Sequence, residues 1–472
     1  MMGPAQFPCH RNGVRIFAAL VLLGVANLVA AGGNASQNRS AAVPPADSQR
    51  QQERLSAKDR KSVFEKVWKD IRDYYYDPAF NGVNWREVHD RYAPLVEGTK
   101  TDAEFYLLMS RMTSELHDAH TRFNSPEAWS NRKKQQRVGA GFAAGEVDGK
   151  MVITEVDANS DAARRGVLPG MIVLRVNDQP VDAQLAEIVK AATASSTERA
   201  TQFYIYRRLF GGPANSAIKL GLQRADGSEF EASLTRQVFS DAPSVISRLL
   251  PSGNAYIRFD GFEHPIVKEF KEALTKFRDA PGLVIDLRKN GGGDLSVILP
   301  LAGYFFDKKT LFAKDSTRSG RPLSEFVGFF KVPLEINVGG ASEQLFSGPV
   351  TILVDARSAS SSEIFAAGMQ DTGRAKIVGT QSCGCVLGIA KSREMKGGGV
   401  LEISEVVWFS PKGRRLEGSG VLPDETAAPT IADLQQQRDP ALAEAEKALG
   451  AMGLAQRAAA QESVKGQGKA QF

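Results

Sequence analysis

From Ala255 onward the chain alternates short apolar runs with stretches of helical length, and this alternation restricts the available folds more than any other feature. The runs are AYIRF, GLVIDLR, GPVTILVDA and AKIVGT, and between them stand Val267 to Phe277, Leu295 to Phe306 and Ser361 to Met369. Strands that are apolar on both faces and separated by helices belong to a sheet covered on both sides. An α/β core is therefore predicted over 239–430. After Ala428 the sequence turns rich in Ala, Gln and Lys, which predicts a terminal helix and frayed tail over 431–472.

Two further domains are predicted upstream. From Lys58 the residues Val63, Phe64, Val67, Trp68, Ile71 and Tyr75 recur at three- and four-residue steps, the pattern of one apolar helix face. Helices are also expected over Trp85 to Leu95 and Asp102 to Leu116, giving a helical domain over 58–130. Beyond Lys133 to Arg137 come the β-like runs Gly139 to Ala144 and Met151 to Val156, then the strand Ile172 to Val176 after a turn at Pro169 and Gly170. A β-rich domain over 131–238 follows, ending on Ile218 to Arg236.

The first residues carry Arg11 and Arg15, then an apolar run from Ile16 to Ala31 with small residues at its end. That layout predicts a secretory signal, residues 1–31, cleaved near Ala31, and hence a periplasmic or secreted protein. A membrane anchor is the competing reading, but the run falls short of the ~20 apolar residues that span a bilayer, so no stable membrane span is expected after cleavage. Residues 32–57, with Pro44 and Pro45 among Gln, Ser and Ala, read as a flexible linker. Lys and Arg number 59 against 54 Asp and Glu, a near balance that gives no support for a nucleic-acid partner. Cys9 leaves with the signal, so Cys383 and Cys385 are the only thiols of the mature chain.

The sharpest local feature is VTILVDARSASSSEIFAAGMQD, a buried strand, a serine-rich turn and a helix. A strand entering a helix through a tight turn lifts a side chain above the sheet, with helix N–H groups facing the same space. Ser360 placed there can attack a carbonyl, and the next N–H can hold the oxyanion. The same letters, Ser360 and Glu363, also spell a helix capping box, so this turn alone leaves a structural reading open. The second strand end, GLVIDLRKNGGGD, brings glycine backbone close to any ligand.

The ordered set LHDAHTRF, VGAGF with RGVLPGMIVLRVND, VIDLRKNGGG, RSASSSEIFAAGMQD and LEGSGVLPDE resembles the tail-specific, or carboxyl-terminal processing, proteases and their tricorn-related cousins, over roughly 58–428. The resemblance implies a crotonase-like/tail-specific protease α/β core with an N-terminal helical domain and an inserted PDZ-like domain. It implies an endopeptidase acting on protein or peptide substrates without cofactor or metal, of undetermined oligomeric state. Ser360 matches the nucleophile, and Ser361 N–H with the Gly291 and Gly292 backbone match oxyanion donors. Gly139, Ala140, Gly141 and Phe142 match the loop that receives a peptide carboxylate; an ordinary β-rich domain without ligand is the alternative.

The base departs from the lysine-using relatives, which carry lysine in a G-K-G segment and glutamine four residues later. In SCGCVLGIA those positions hold Cys385 and Ile389. Tricorn-like members pair serine with a histidine and a glutamate, which here match His120 and Glu417. A neutral imidazole with an ordinary pKa of ~6.5 can take the serine proton, and a carboxylate can orient the ring. A structural His120, with Lys391 or another lysine as base, stays open. So do three readings of Cys383 and Cys385: space-filling, a redox pair or disulfide, and metal ligation, which lacks zinc-site spacing. A catalytically silent peptide-binding scaffold is the rival to the enzyme.

Overall fold

The computed structural model describes residues 55–327, 330–333, 335–340 and 344–468. The predicted leader and nearly all of the predicted linker lie outside the described residues. The first described segment holds α1 (Ala57–Tyr74), α2 (Trp85–Gly98), α3 (Asp102–Ser114), β1 (Arg122–Asn124) and α4 (Pro126–Lys133). Ser56 caps α1 by accepting the Asp59 N–H at 3.1 Å, and the face set by Val63, Phe64, Val67 and Ile71 is buried, as the spacing predicts. Trp68 and Trp85 lock α1 to α2, each indole N–H donating to the other's carbonyl at 2.8 and 3.1 Å.

The β-rich segment holds β2 (Gln136–Gly139), β3 (Phe142–Val147), β4 (Lys150–Val156), α5 (Asp161–Arg164), β5 (Ile172–Val176), β6 (Gln179–Pro180), α6 (Val181–Lys190), α7 (Glu198–Phe210), β7 (Ala217–Gln223), β8 (Glu229–Thr235) and β9 (Gln237–Ser240). Its sheet runs in the order β3-β4-β5-β7-β8, with β6 on β5, and β2 pairs β9 in a separate ribbon. The helices α6 and α7 were not anticipated. Thr197 starts α7 by accepting the Ala200 N–H at 3.1 Å.

The remaining elements are β10 (Val245–Leu249), β11 (Ala255–Phe259), α8 (His264–Lys276), β12 (Leu283–Asp286), α9 (Ile298–Gly303), β13 (Thr310–Thr317), β14 (Ser324–Val327), β15 (Phe330–Pro333), β16 (Ile336–Val338), β17 (Val350–Val354), α10 (Ser361–Asp371), β18 (Lys376–Gly379), β19 (Leu387–Glu394), β20 (Val400–Phe409), β21 (Glu425–Thr426), α11 (Ile431–Gln435) and α12 (Pro440–Gly468). The central sheet runs β10-β11-β12-β17-β18-β21, with β11, β12, β17, β18 and β21 parallel.

The two-residue period of a strand explains its apolar runs. Ile257, Ile285, Ile352 and Ile377 pack toward Phe270, Leu301 and Phe365 on α8, α9 and α10. Their neighbours Tyr256, Val284, Leu353 and Val378 face Ala441, Ala445 and Leu449 of α12. The predicted helix Leu295 to Phe306 is shorter than expected: a 3-10 turn, Leu295–Val297, leads into α9, with Pro300 in its first turn and Gly303 at its end.

A second sheet, β1-β20-β13-β16 with β19 on β20, adjoins this core. β1 pairs Phe123 with Leu401 across the chain, and the buried faces of α1 to α3 share one cluster with Leu387, Leu401, Ile403 and Val407. The N-terminal helices therefore share their core with a hairpin of the second sheet.

Candidate active site

The carboxyl ends of parallel strands in an open sheet are where ligands bind. Here β12 ends in the glycine loop, β17 in the serine turn and β18 in the loop carrying the two cysteines. Asn290, fully buried, joins the first two: its side-chain amide donates to Phe259 O at 2.9 Å, and its carbonyl accepts the Ala359 N–H at 3.1 Å and the Ser362 hydroxyl at 2.8 Å. Ser361 Oγ donates to Gly293 O at 2.9 Å, closing the second seam.

Ser360 stands at φ 56°, ψ −120°. An N-cap residue takes extended backbone at negative φ, and a β-carbon in this region is strained by about 1–3 kcal/mol. The capping pattern is there in loose form: Ser360 N–H donates to Glu363 Oε2 at 3.1 Å, while the Ser360 hydroxyl lies over the Glu363 N–H without closing a well-formed bond. A cap does not require this positive φ, which a tight strand-turn-helix junction can impose.

Gly292 lies against this turn at φ +94°, where a β-carbon would come within 2.7 Å of Ser360 Cβ and 2.9 Å of Ser361 N. Among the described residues Ser361 N–H and Gly291 N–H have no backbone acceptor, whereas Gly292 N–H is committed to Asn290 Oδ1 at 3.0 Å. Of the three predicted oxyanion groups, Ser361 and Gly291 are thus unoccupied donors.

His120 and Glu417 stand on two other segments. His120 follows a turn organised by Asp118, whose Oδ1 accepts the His120 N–H at 2.8 Å, the Thr121 N–H at 2.6 Å and the Ser404 hydroxyl at 2.9 Å. His120 Nδ1 is shut from solvent without a partner among the described residues. Burial, then the nearby Arg122, push the imidazole pKa down to about 4, against the pull of Asp118. The ring is held neutral.

Glu417 is nearly buried, its Oε2 accepting the Val386 N–H at 2.6 Å. Burial raises its pKa to about 7; the Ser196 hydroxyl and Val386 N–H oppose that shift, while the Asp118 and Glu363 charges add to it. No hydrogen bond joins Ser360, His120 and Glu417 directly among the described residues.

Comparison with known proteins decides the chemistry. Residues 253–427 match the Peptidase family S41 profile, and residues 56–114 match the Tricorn protease C1 domain. Residues 253–427 are a family S41 peptidase domain, and the chain is a serine peptidase. Relatives include the chloroplastic carboxyl-terminal-processing peptidase 2 of Arabidopsis thaliana, 26% identical over 384 residues, 77% of this chain and 68% of that protein. The carboxyl-terminal-processing protease of Synechocystis sp. is also 26% identical, over 397 residues, 81% of this chain and 84% of that protein. Mature CPAF complexed with lactacystin superposes with TM-score 0.62 at 12% identity, covering 83% of this chain and 98% of that one, a likeness of fold.

The peptidase has a brace under its serine whose role the sequence did not disclose beyond a helix cap. Glu363 is fully buried and collects the Ser382 hydroxyl at 2.5 Å, Gly384 N–H at 2.7 Å, Cys385 N–H at 3.0 Å and Ser360 N–H. Burial pushes its pKa up to about 7 against these donors. Ser360 N–H also donates to Cys385 O at 2.9 Å. Cys383 and Cys385 are joined by a disulfide. Lys391 lies exposed on β19, 6.0 Å over the Tyr74 ring. Among the described residues no group of three His, Cys, Asp or Glu could hold a metal, and no helix is long and apolar enough to cross a membrane.

The β-rich domain meets the site at two places. Glu155 on β4 pairs with Lys289 of the glycine loop and with Arg357 of the serine turn, 2.9 Å, cations that hold its pKa near about 2 against the cost of burial. From α7, Thr197 donates to Cys383 O at 2.6 Å and Arg199 to Ser382 O at 2.7 Å. Of the predicted peptide-binding residues, Gly139 is drawn into β2 opposite Gln237. Ala140, Gly141 and Phe142 lead into β3, an edge strand, where Phe142 packs edge-on to Phe210 of α7 at 5.2 Å.

Proposed function

We propose that the peptidase is an exported endopeptidase in which Ser360 attacks a peptide carbonyl, His120 takes the Ser360 proton and returns it to the leaving amine, and Glu417 stabilises the imidazolium. Ser361 and Gly291 N–H groups receive the carbonyl oxygen as it becomes an oxyanion. Water then attacks the acyl-serine, His120 takes the water proton, and it returns that proton to Ser360 Oγ as the C–O bond breaks. The neutral imidazole supports this reading, because only the unprotonated ring accepts a proton. The conformation of Ser360 beside Gly292 carries it.

The β-rich domain acts in this proposal as a PDZ-like module. A substrate's C-terminal region adds a strand to the free edge of β3, beside α7, with its carboxylate at Ala140 to Phe142. The Arabidopsis and Synechocystis relatives are named for carboxyl-terminal processing, which supports a substrate entering by its C-terminal end. Cleavage of the predicted leader leaves the mature chain in the periplasm or outside the cell.

A fluorophosphonate probe tests the site. Labelling is expected for the wild type, none for Ser360→Ala, and a loss of at least ~10² in rate for His120→Ala. An unlabelled wild type would leave a peptide-binding scaffold as the better account. Full-rate labelling of His120→Ala would remove the proposed base.

A further inference from the structure

We propose that Glu155, on β4 of the β-rich domain, is a positioning residue for the oxyanion loop: by pairing with Lys289 of the glycine loop and Arg357 of the serine turn at once, it holds the two loops together. This rests on the reading of Ser360 as nucleophile and of Gly291 N–H as an oxyanion donor. Lys289 stands two residues before Gly291, and Arg357 three before Ser360. The Lys289 ammonium pairs with Glu155 Oε2, and Arg357 Nη2 donates to Glu155 Oε1 at 2.9 Å. Each loop thus places one cation on the same carboxylate, which belongs to neither.

The backbone is shaped for this contact on both sides. Ala143 of β3 lies opposite Glu155 and Ala144 opposite Ile153, so Thr154 is an extra residue in β4. An unbroken strand would put residue 155 on the face of the fully buried Ile153, and a bulge re-aims such a side chain. Across the contact, Lys289 takes φ +69°, uncommon for a residue with a β-carbon, and its N–H donates to Asp355 Oδ1 at 3.1 Å. Asp355 also accepts Arg357 Nε at 3.1 Å and Nη2 at 2.8 Å. Arg357 therefore keeps a carboxylate when Glu155 is removed. Lys289 does not, because among the described residues Glu155 is the carboxylate within ion-pair distance of its ammonium.

Loss of the Glu155 charge leaves an ammonium on one loop facing a guanidinium on the other, with the Arg258 charge adding to the repulsion on Lys289. The seams made by Asn290 and by Ser361 remain, so the fold should survive. The glycine loop nevertheless moves off the serine turn, and Gly291 N–H leaves the place of the developing oxyanion. Lys289, Glu155 and Arg357 side chains are each about a third exposed, which lets dissolved salt screen the repulsion.

The test is the second-order rate of fluorophosphonate labelling in the full chain, because the probe's phosphoryl oxygen enters the oxyanion site and the probe needs no peptide groove. Glu155→Gln keeps the shape without the charge. It should melt as one cooperative unit and label about tenfold more slowly at low salt, a fraction of the ~10² or more that follows loss of a whole donor. Between about 0.05 and 0.5 M NaCl its rate should rise about threefold, with the wild type little changed. Adding Lys289→Met to Glu155→Gln removes the repulsion and should bring the rate within about threefold of wild type. A wild-type rate in folded Glu155→Gln overturns the proposal. So does a slow rate that neither salt nor Lys289→Met improves, the result of a purely structural role. Should Glu155→Gln fail to fold, Lys289→Met is compared with the double variant: equal rates support the proposal, and a further loss in the double variant overturns it. Labelling that persists in Ser360→Ala would instead fault the nucleophile on which the proposal rests.

Discussion

Gly292 packs against Ser360 so closely that a β-carbon on the glycine would stand 2.7 Å from that of the serine. Gly292→Ala adds this collision to a φ of +94°, which a side chain adopts only under strain. Moving the glycine loop off the serine withdraws the proposed oxyanion donor at Gly291. Fluorophosphonate labelling should fall by about 10² or more, with far-UV circular dichroism unchanged.

The strained backbone of Ser360 predicts a stability effect opposite to its effect on activity. Ser360→Gly relieves a positive φ without removing a buried contact of size. It should be inactive yet more stable than Ser360→Ala by about 1 kcal/mol, read by denaturant titration of the two variants. Equal stability would mean the turn imposes no such strain.

Activity and stability should move in opposite directions with pH. Glu363 and Glu417 have folded pKa values near about 7, above the ordinary 4.5 of a glutamate. Between those values the folded state holds more protons than the unfolded one, so their contribution to stability is full below about pH 4.5 and declines as pH rises through 7. Labelling should instead increase through about pH 7 as Glu417 ionises. Glu417→Gln should flatten that rise and lower the rate, measured as labelling against pH beside a melting-temperature series.

The Cys383 to Cys385 bridge closes the loop whose Cys385 carbonyl and N–H hold Ser360 N–H and Glu363. Reduction should add two mass units to the chain and slow Ser360 labelling several-fold by loosening that loop. A Cys383→Ser, Cys385→Ser double variant should show the slower rate without responding to reductant. Labelling indifferent to both would show that backbone hydrogen bonds alone hold the loop.

The linear sequence determined the elements whose signals are local. The apolar runs of β11, β12, β17 and β18 were legible because a strand buried on both faces needs every residue apolar, and Ser360 was legible as the residue between strand and helix. The ordered motifs carried the family. Sequence did not reveal that β1 pairs with β20, 278 residues from Phe123 to Leu401, that Glu363 braces the cysteine loop, or that Ser196 accepts the Ala119 N–H. Those are contacts between loops far apart in the chain, with no periodicity to announce them. The capping-box letters of Ser360 and Glu363 were equally consistent with two backbones. Only the tertiary structure chose, because φ at Ser360 is set by the glycine loop packed against it and by the Cys385 carbonyl that holds its N–H, neither of which is local in sequence.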